Sequence, residues 1–193
     1  MNDEHPTGLA AIQINLPATE AQLRSLRAGD EVELNGDVIT GRDQACARLS
    51  KLLVAGEPLP VDLVNQTLYF VGPSPAPPGR VVGSAGPTTS GRMNRFLPQL
   101  LAAGVRGVIG KGHLSVESRG ALVSHGGVYF GAIGGTGALL ARAIESVEVI
   151  AFPELLSEAM RRMRLRRFPV VVLADTVGNN LYERGPLAVR TPH

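Results

Sequence analysis

The stretch from Val81 to Leu101, VVGSAGPTTSGRMNRFLPQLL, constrains the fold of this chain more than any other. It opens on two β-branched valines suited to the end of a strand. Gly83, Ser84, Ala85, Gly86 and Pro87 then make a turn, and Thr88, Thr89 and Ser90 form a run of hydroxyls ahead of Arg92. Met93, Phe96, Leu97, Leu100 and Leu101 recur at the i, i+3, i+4, i+7, i+8 spacing of an amphipathic helix. Strand, glycine turn and hydroxyl-capped helix would present free backbone N–H groups at the positive end of a helix dipole. Such a corner suits an anion, and Arg92 adds a fork shaped for a carboxylate. An ordinary N-cap with a surface arginine has the same pattern, and pattern alone favours that plainer reading.

Residues 1–17 read as a polar leading arm, and Thr19 to Arg27 as a short helix. GDEVELNGDVITGRD reads as two strands around Asn35-Gly36, the dipeptide of a tight hairpin. Asp43 stands at an N-cap position, and Ala45, Leu49, Leu52 and Leu53 line one face of a helix stopped by Gly56. Arg42 therefore sits where a strand hands over to a helix, as Arg92 does. QTLYFVG is a strand, GPSPAPPG a rigid loop, and VRGVIG a strand that empties into Gly110-Lys111-Gly112. The glycines flanking Lys111 let the backbone pass close to a ligand. The loop is no Walker A motif, because Val105 and Gly112 occupy the positions of its first glycine and its Ser/Thr.

GVYFGAIGGTGALLARAIESV repeats strand, glycine turn and helix, but the spacing of Gly131, Gly134 and Gly137 is wrong for a dinucleotide fingerprint. VEVIAF is a strand. PELLSEAM starts a helix that runs into RRMRLRR, a basic cluster without interleaved aromatics, which reads as a solvated helix end or a subunit contact. FPVVVLADTVGNNLYERG closes with a buried strand, an Asp at its end and a turn at Gly178-Asn179.

At 193 residues, with 23 glycines and 14 prolines, the chain expects one loop-rich mixed α/β domain with a short arm. A net charge of +2 gives no reason to expect nucleic acid. No apolar run approaches a membrane span, and the N-terminus lacks the pattern of a signal peptide, so a soluble cytoplasmic protein is expected. Lys51 and Lys111 are the only lysines, which draws attention to Lys111. The single cysteine, Cys46, rules out a cysteine-based metal site within this chain.

GSAGPTTSGRMNRFLPQLL, the downstream VIGKG, the upstream TGRDQA and the terminal FPVVVLADTVGNNLY occur in this order. Together they resemble the β subunit, or C-terminal domain, of the iron–sulfur class I fumarases and L(+)-tartrate dehydratases. The resemblance covers roughly residues 17 to 185 and implies a swivelling β/β/α domain, residues 18–193, closing over a cluster domain. It implies a heteromeric hydro-lyase whose partner α subunit holds a 4Fe–4S cluster on three cysteines, with one iron open to substrate. The implied reaction is reversible hydration of fumarate to malate, with L(+)-tartrate or another 2-hydroxy dicarboxylate as the alternative. Arg42, Arg92 and Lys111 match the family's carboxylate-binding cations, Thr88 its threonine general base, and Thr89 and Ser90, lining the same turn, are read as further substrate-binding residues. A threonine hydroxyl is a poor base unless neighbouring charge assists it. The family usually reads Arg-Asp-x-Ala-His where this chain has Arg42-Asp43-Gln44-Ala45-Cys46. Cys46 reads as a small buried residue on the helix face. His113 reads as a loop histidine of no special role, with a place near the cleft as the alternative. A pair of αβ units is the implied assembly. The reading from another class is a carboxylate-binding module without catalysis.

Overall fold

The computed structural model describes residues 11–132 and 137–183. Seven strands form one sheet in the order β1-β2-β3-β4-β5-β7-β6. They are β1 Ile12–Leu16, β2 Glu31–Thr40, β3 Thr67–Tyr69, β4 Gly107–Gly110, β5 Val128–Ala132, β6 Ile144–Ala151 and β7 Met160–Ala174. β1 to β5 pair in parallel, whereas β7 runs antiparallel to β5, β6 and β2. The pairing of β7 with both β5 and β2 closes the sheet into a barrel, confirming a mixed α/β fold. The helices are α1 Glu20–Ser25, α2 Asp43–Ala55, α3 Leu97–Ala102, α4 Val116–Ser124 and α5 Gly137–Ala141.

Period-two alternation divides the apolar residues between two cores. Tyr69, Val71, Ile109, Val128 and Phe130 meet β2 and β7 residues such as Leu34, Val170 and Val172. Their neighbours Leu68, Phe70, Val108 and Tyr129 face outward onto Cys46 and Leu49 of α2 and Leu97, Leu100 and Leu101 of α3. β3, β4 and β5 are therefore buried on both faces, as their near-continuous apolar sequences require, whereas β1 and the first part of β2 alternate between buried and exposed residues. The stripe of Met93, Phe96, Leu97, Leu100 and Leu101 is buried as its spacing predicts.

Several local expectations are corrected. Asn35-Gly36 is not a hairpin: β2 runs straight through it, with a register shift against β7 at that point. Gly36 has φ 110°, and a Cβ there would collide with the carbonyl oxygen of Leu16 on β1. A glycine bulge and a hairpin turn demand the same backbone freedom, and the partner strands decide between them. Ile12–Leu16, at the end of the stretch read as an arm, is strand β1. No strand forms at Val81-Val82; Ser74 hydrogen-bonds Gly83 and Ser84 and ties the proline-rich loop back on itself. The expected helix after the hydroxyl run is split into a 3-10 turn, Ser90–Met93, and the short α3.

The largest correction is PELLSEAMRRMRLRR. Pro153–Glu158 is a 3-10 turn, and Met160 begins a fifteen-residue strand. Met160, Met163, Leu165 and Phe168 are buried while Arg162, Arg164, Arg166 and Arg167 point outward. These arginines pair with Glu148, Asp37, Glu145 and Glu33 on the neighbouring strands, so the basic cluster is a cross-strand charge ladder. Of the glycine turn after β5, Gly131 ends the strand, Gly137 begins α5, and Gly134 lies outside the described residues.

Candidate functional site

Arg42 follows β2, Gly72 follows β3 and Lys111 follows β4, and all three strands run parallel. The chain therefore delivers them to one end of the sheet, the carboxyl end, where open α/β sheets place their ligands. A cleft of about 490 Å³ lies there, lined by Gly72, Ser74, Ser84, Gly86, Pro87 and Lys111 among others. A larger recess of about 590 Å³ is lined by Asn65, Arg106 and Gly126, which precede β3, β4 and β5, so it lies at the opposite end of the parallel strands.

Arg42 is the N-cap residue of α2, with extended backbone, and Asp43 is the first residue inside the helix rather than its cap. Asp43 instead joins the two arginines. The Nε of Arg92 donates to Asp43 Oδ1 at 3.0 Å, across 49 positions of sequence. Arg42 Nη2 lies 3.9 Å from Asp43 Oδ2 and 3.8 Å from Glu158 Oε1. Glu158 also accepts from the backbone N–H of Gln44 at 2.8 Å. Gly72 is what admits the Arg42 side chain: a Cβ there would sit 2.6 Å from Nη1 and 2.8 Å from Cδ. The buried Arg42 Nε and Asp43 Oδ2 have no hydrogen-bond partner among the described residues, a state that costs free energy until a ligand or partner supplies one.

Lys111 and Gly112 are held through their backbone. Lys111 N–H donates to Ser90 Oγ at 3.1 Å, and Ser90 N–H donates to the Lys111 carbonyl at 2.9 Å. Thr89 bridges Lys111 in parallel fashion. The Tyr129 phenol lies 2.9 Å from both Ser90 Oγ and the Gly112 carbonyl, and Gly112 N–H donates to the Tyr182 phenol at 3.2 Å. The Tyr182 ring also packs on His113, centroids 4.3 Å apart.

The structure thus unites Arg42 with Arg92 and Lys111 with Thr89 and Ser90, and seats Thr88 beside Pro87 with its N–H donating to Phe70 O at 2.7 Å. The free N–H corner is not realised. Thr88, Ser90 and Arg92 spend their N–H groups on Phe70, Lys111 and Thr89, and only a single 3-10 turn starts there. Ser90 is fully buried, whereas Thr89, Arg92 and Lys111 are exposed.

Asp43 in this role, Glu158, Tyr129 and Tyr182 were beyond sequence reasoning; only the adjacency of Arg42 and Asp43 hinted at a pair. Cys46 is the small buried residue its helix position implies, at 0% exposure. Burial, reinforced by the charges of Asp43 and Glu158, pushes its thiol up to about 12.

A closed mixed sheet carrying Arg42 and Lys111 at the carboxyl ends of its parallel strands, with Arg92 joined to Arg42 through Asp43, defines an α/β domain with cations at its cleft. The chain matches the Fumarase C-terminus family over residues 1–185, and it belongs to that family. It is 38% identical over 177 residues to the aerobic class I fumarate hydratase of Escherichia coli, covering 90% of this chain and 32% of that protein. A fumarate hydratase 2 of Leishmania major is 38% identical over 165 residues, 84% of this chain and 29% of its own length. The chain therefore spans about a third of these relatives. A protein of Methanocaldococcus jannaschii, provisionally named L(+)-tartrate dehydratase subunit beta, is 34% identical over 171 residues, 86% of this chain and 88% of that protein. Among the described residues no helix is long and apolar enough to cross a membrane.

Proposed function

We propose that this chain is the β half of an iron–sulfur hydro-lyase that interconverts fumarate and malate. The observation that carries the reading is the convergence of Arg42 and Arg92 on Asp43 beside the Lys111 cleft, in a member of the Fumarase C-terminus family. Residues 18–193 are read as one swivelling β/β/α domain. Its active partner is an α subunit that closes over the cleft in a cytoplasmic hetero-oligomer.

The donor set of this chain does not fit a 4Fe–4S cluster. Cys46 is its only cysteine and is buried, and no group of three His, Cys, Asp or Glu side chains among the described residues could hold a metal. The cluster is therefore assigned to the α subunit, and this chain supplies binding and proton handling. A dicarboxylate brings two negative charges, and Arg42, Arg92 and Lys111 offer three positive ones with different geometry. The guanidinium forks suit bidentate carboxylate pairs, while Lys111 acts as a point charge between glycines. Asp43 and Glu158 hold the arginines before substrate arrives, so little side-chain ordering remains at binding. Thr88 serves as base at its Oγ1 once its own hydroxyl proton has passed to a basic group of the partner chain, and taking the proton from the substrate C–H returns it to the neutral hydroxyl. Thr89 borders the same turn.

L(+)-tartrate is the second reading, favoured by the archaeal relative of which the chain covers 88%. The test is steady-state kinetics with fumarate, malate and L(+)-tartrate on the complex co-expressed with a cluster-bearing partner at matched iron content. Arg92→Lys and Lys111→Met are each expected to lower kcat/KM by about 30-fold or more. Wild-type values for both would mean that this cleft is not the active site. Substantial turnover by the isolated chain after reconstitution with iron and sulfide would sink the division of labour.

A further inference from the structure

Every backbone polar group of Lys111 and Gly112 is bonded, and side chains from three separate segments do most of the bonding. Ser90, in the 3-10 turn, takes the Lys111 N–H and returns its own N–H to the Lys111 carbonyl. Tyr129, on β5, reaches the Gly112 carbonyl, and Tyr182 accepts the Gly112 N–H. Saturation of this kind in a two-residue stretch with a left-handed glycine, φ 79°, is not needed to end a strand.

The hydrogen-bond directions follow from chemistry. The Tyr129 phenol has one proton and two neighbours at 2.9 Å, Ser90 Oγ and the Gly112 carbonyl oxygen. The carbonyl can only accept, so the phenol donates to it and the Ser90 hydroxyl donates to the phenol oxygen. Ser90 Oγ in turn accepts the Lys111 N–H. A one-way chain results: Lys111 N–H to Ser90, Ser90 to Tyr129, Tyr129 to the Gly112 carbonyl, with each hydroxyl both giving and receiving. Tyr129 is 2% exposed and Ser90 0%, so water does not compete. Burial also pushes the Tyr129 phenol well above its usual range, leaving it a neutral donor throughout the working pH range. Gly110 completes the fit, since a Cβ there would collide with Ser90 Oγ.

We propose that Ser90, Tyr129 and Tyr182 are positioning residues that clamp the Lys111 backbone and so fix where its ammonium enters the cleft. The proposal rests on Lys111 being a substrate-binding cation. It gives Ser90 a place beneath the loop rather than against substrate.

The test uses the two-lysine composition of the chain. In the full chain labelled with 15N-lysine, the backbone amides of Lys51 and Lys111 give the only two signals. Tyr129→Phe keeps the ring and deletes the phenol. It is expected to shift the Lys111 amide and to speed its hydrogen exchange at least tenfold, with Lys51 unmoved. Tyr182→Phe, at a half-buried position, is expected to do the same more weakly, and it keeps the test decisive should Tyr129→Phe fold poorly. In the co-expressed complex both variants are expected to raise KM for the dicarboxylate by roughly ten- to a hundred-fold while kcat changes less than threefold. Unchanged exchange at Lys111 in both variants would overturn the clamp. Loosened exchange with unchanged KM would overturn the link between clamp and substrate. Lys111→Met separates the two readings: wild-type kinetics there would remove Lys111 as a substrate cation while leaving the amide result standing.

Discussion

Asp175 closes the chain's last long strand and controls the segment that carries Tyr182. Its side chain is fully buried, and its carboxylate accepts from Ala28 N–H at 3.2 Å, Val177 N–H at 3.1 Å, Asn179 N–H at 2.9 Å and Asn179 Nδ2 at 2.7 Å. Those bonds fold the chain back so that Asn180 bridges Ala174 and Tyr182 reaches Gly112. Hydrogen bonds to a charged acceptor contribute about 1.5–3 kcal/mol each, but four on one carboxylate do not add. Asp175→Ala strands three backbone donors and is expected to cost about 3–4 kcal/mol. Asp175→Asn turns an amide N–H toward donors and is expected to cost about 2 kcal/mol.

The pH dependence of this loss has a definite sign. Burial, the largest single influence, would raise the Asp175 pKa, yet the Asn179, Ala28 and Val177 donors together hold it below its usual 3.8. A depressed folded pKa means stability fully present above 3.8 and lost as pH falls through the folded value. Urea denaturation of wild type and Asp175→Asn should show a constant gap from pH 7 to pH 5 that closes as acidity passes below 3.8. A gap under about 1 kcal/mol at pH 7 would refute the reasoning, because four donors would then be idle. A gap that persists unchanged at pH 2.5 would refute the charge argument.

Thr88→Val in the assembled complex keeps shape and removes the hydroxyl, so kcat is expected to fall at least tenfold with KM nearly unchanged; near-wild-type kcat would remove Thr88 as the base. Gly110→Ala puts a methyl into the Ser90 hydroxyl and is expected to cost about 1–3 kcal/mol in urea denaturation, where an unchanged midpoint would show that the clamp can relax. Cys46, with its thiol near 12, is expected to resist a disulfide-exchange reagent at pH 8 until urea unfolds the chain; stoichiometric labelling of native protein would contradict its burial.

The cations of the site were legible because each stands at a break in the chain. Arg42 follows a strand and precedes a helix, Arg92 follows a hydroxyl run, and Lys111 lies between glycines. Their mutual bridging was not legible, because Asp43 and Glu158 lie far apart in sequence and meet only through the packing of α2 on the Pro153–Glu158 turn. Strand β7 was misread for a local reason. Its pairing with β6 is irregular between Val149 and Ala151, and its pairing with β2 shifts opposite Asn35. The shift against β2 puts an extra residue on β7 and spaces Leu165 and Phe168 three apart in one core, while Met160 and Met163, also three apart, are buried in opposite cores; the two spacings together imitate a helix. Asn35-Gly36 misled by the same ambiguity: it satisfies a bulge and a turn equally, and Leu16 and Phe168 decide. The helix α4 carries one signal in retrospect, Ser115, whose hydroxyl accepts the Ser118 N–H at its start.

Strand β7 also governs when this chain can become a folded object. Until it arrives, β2 and β5 each lack a neighbour, and the pair Arg167–Glu33 alone spans 134 positions. A ribosome must therefore release most of the chain before the barrel can shut, and loop-closure entropy sets a slow folding rate. In the interval, β2 offers a long, unpaired edge to whatever strand comes first. The arginines spaced along β7, and the acids on β2 and β6 that receive them, then gain a second role: they select the right strand, in the right register, at the moment of closure.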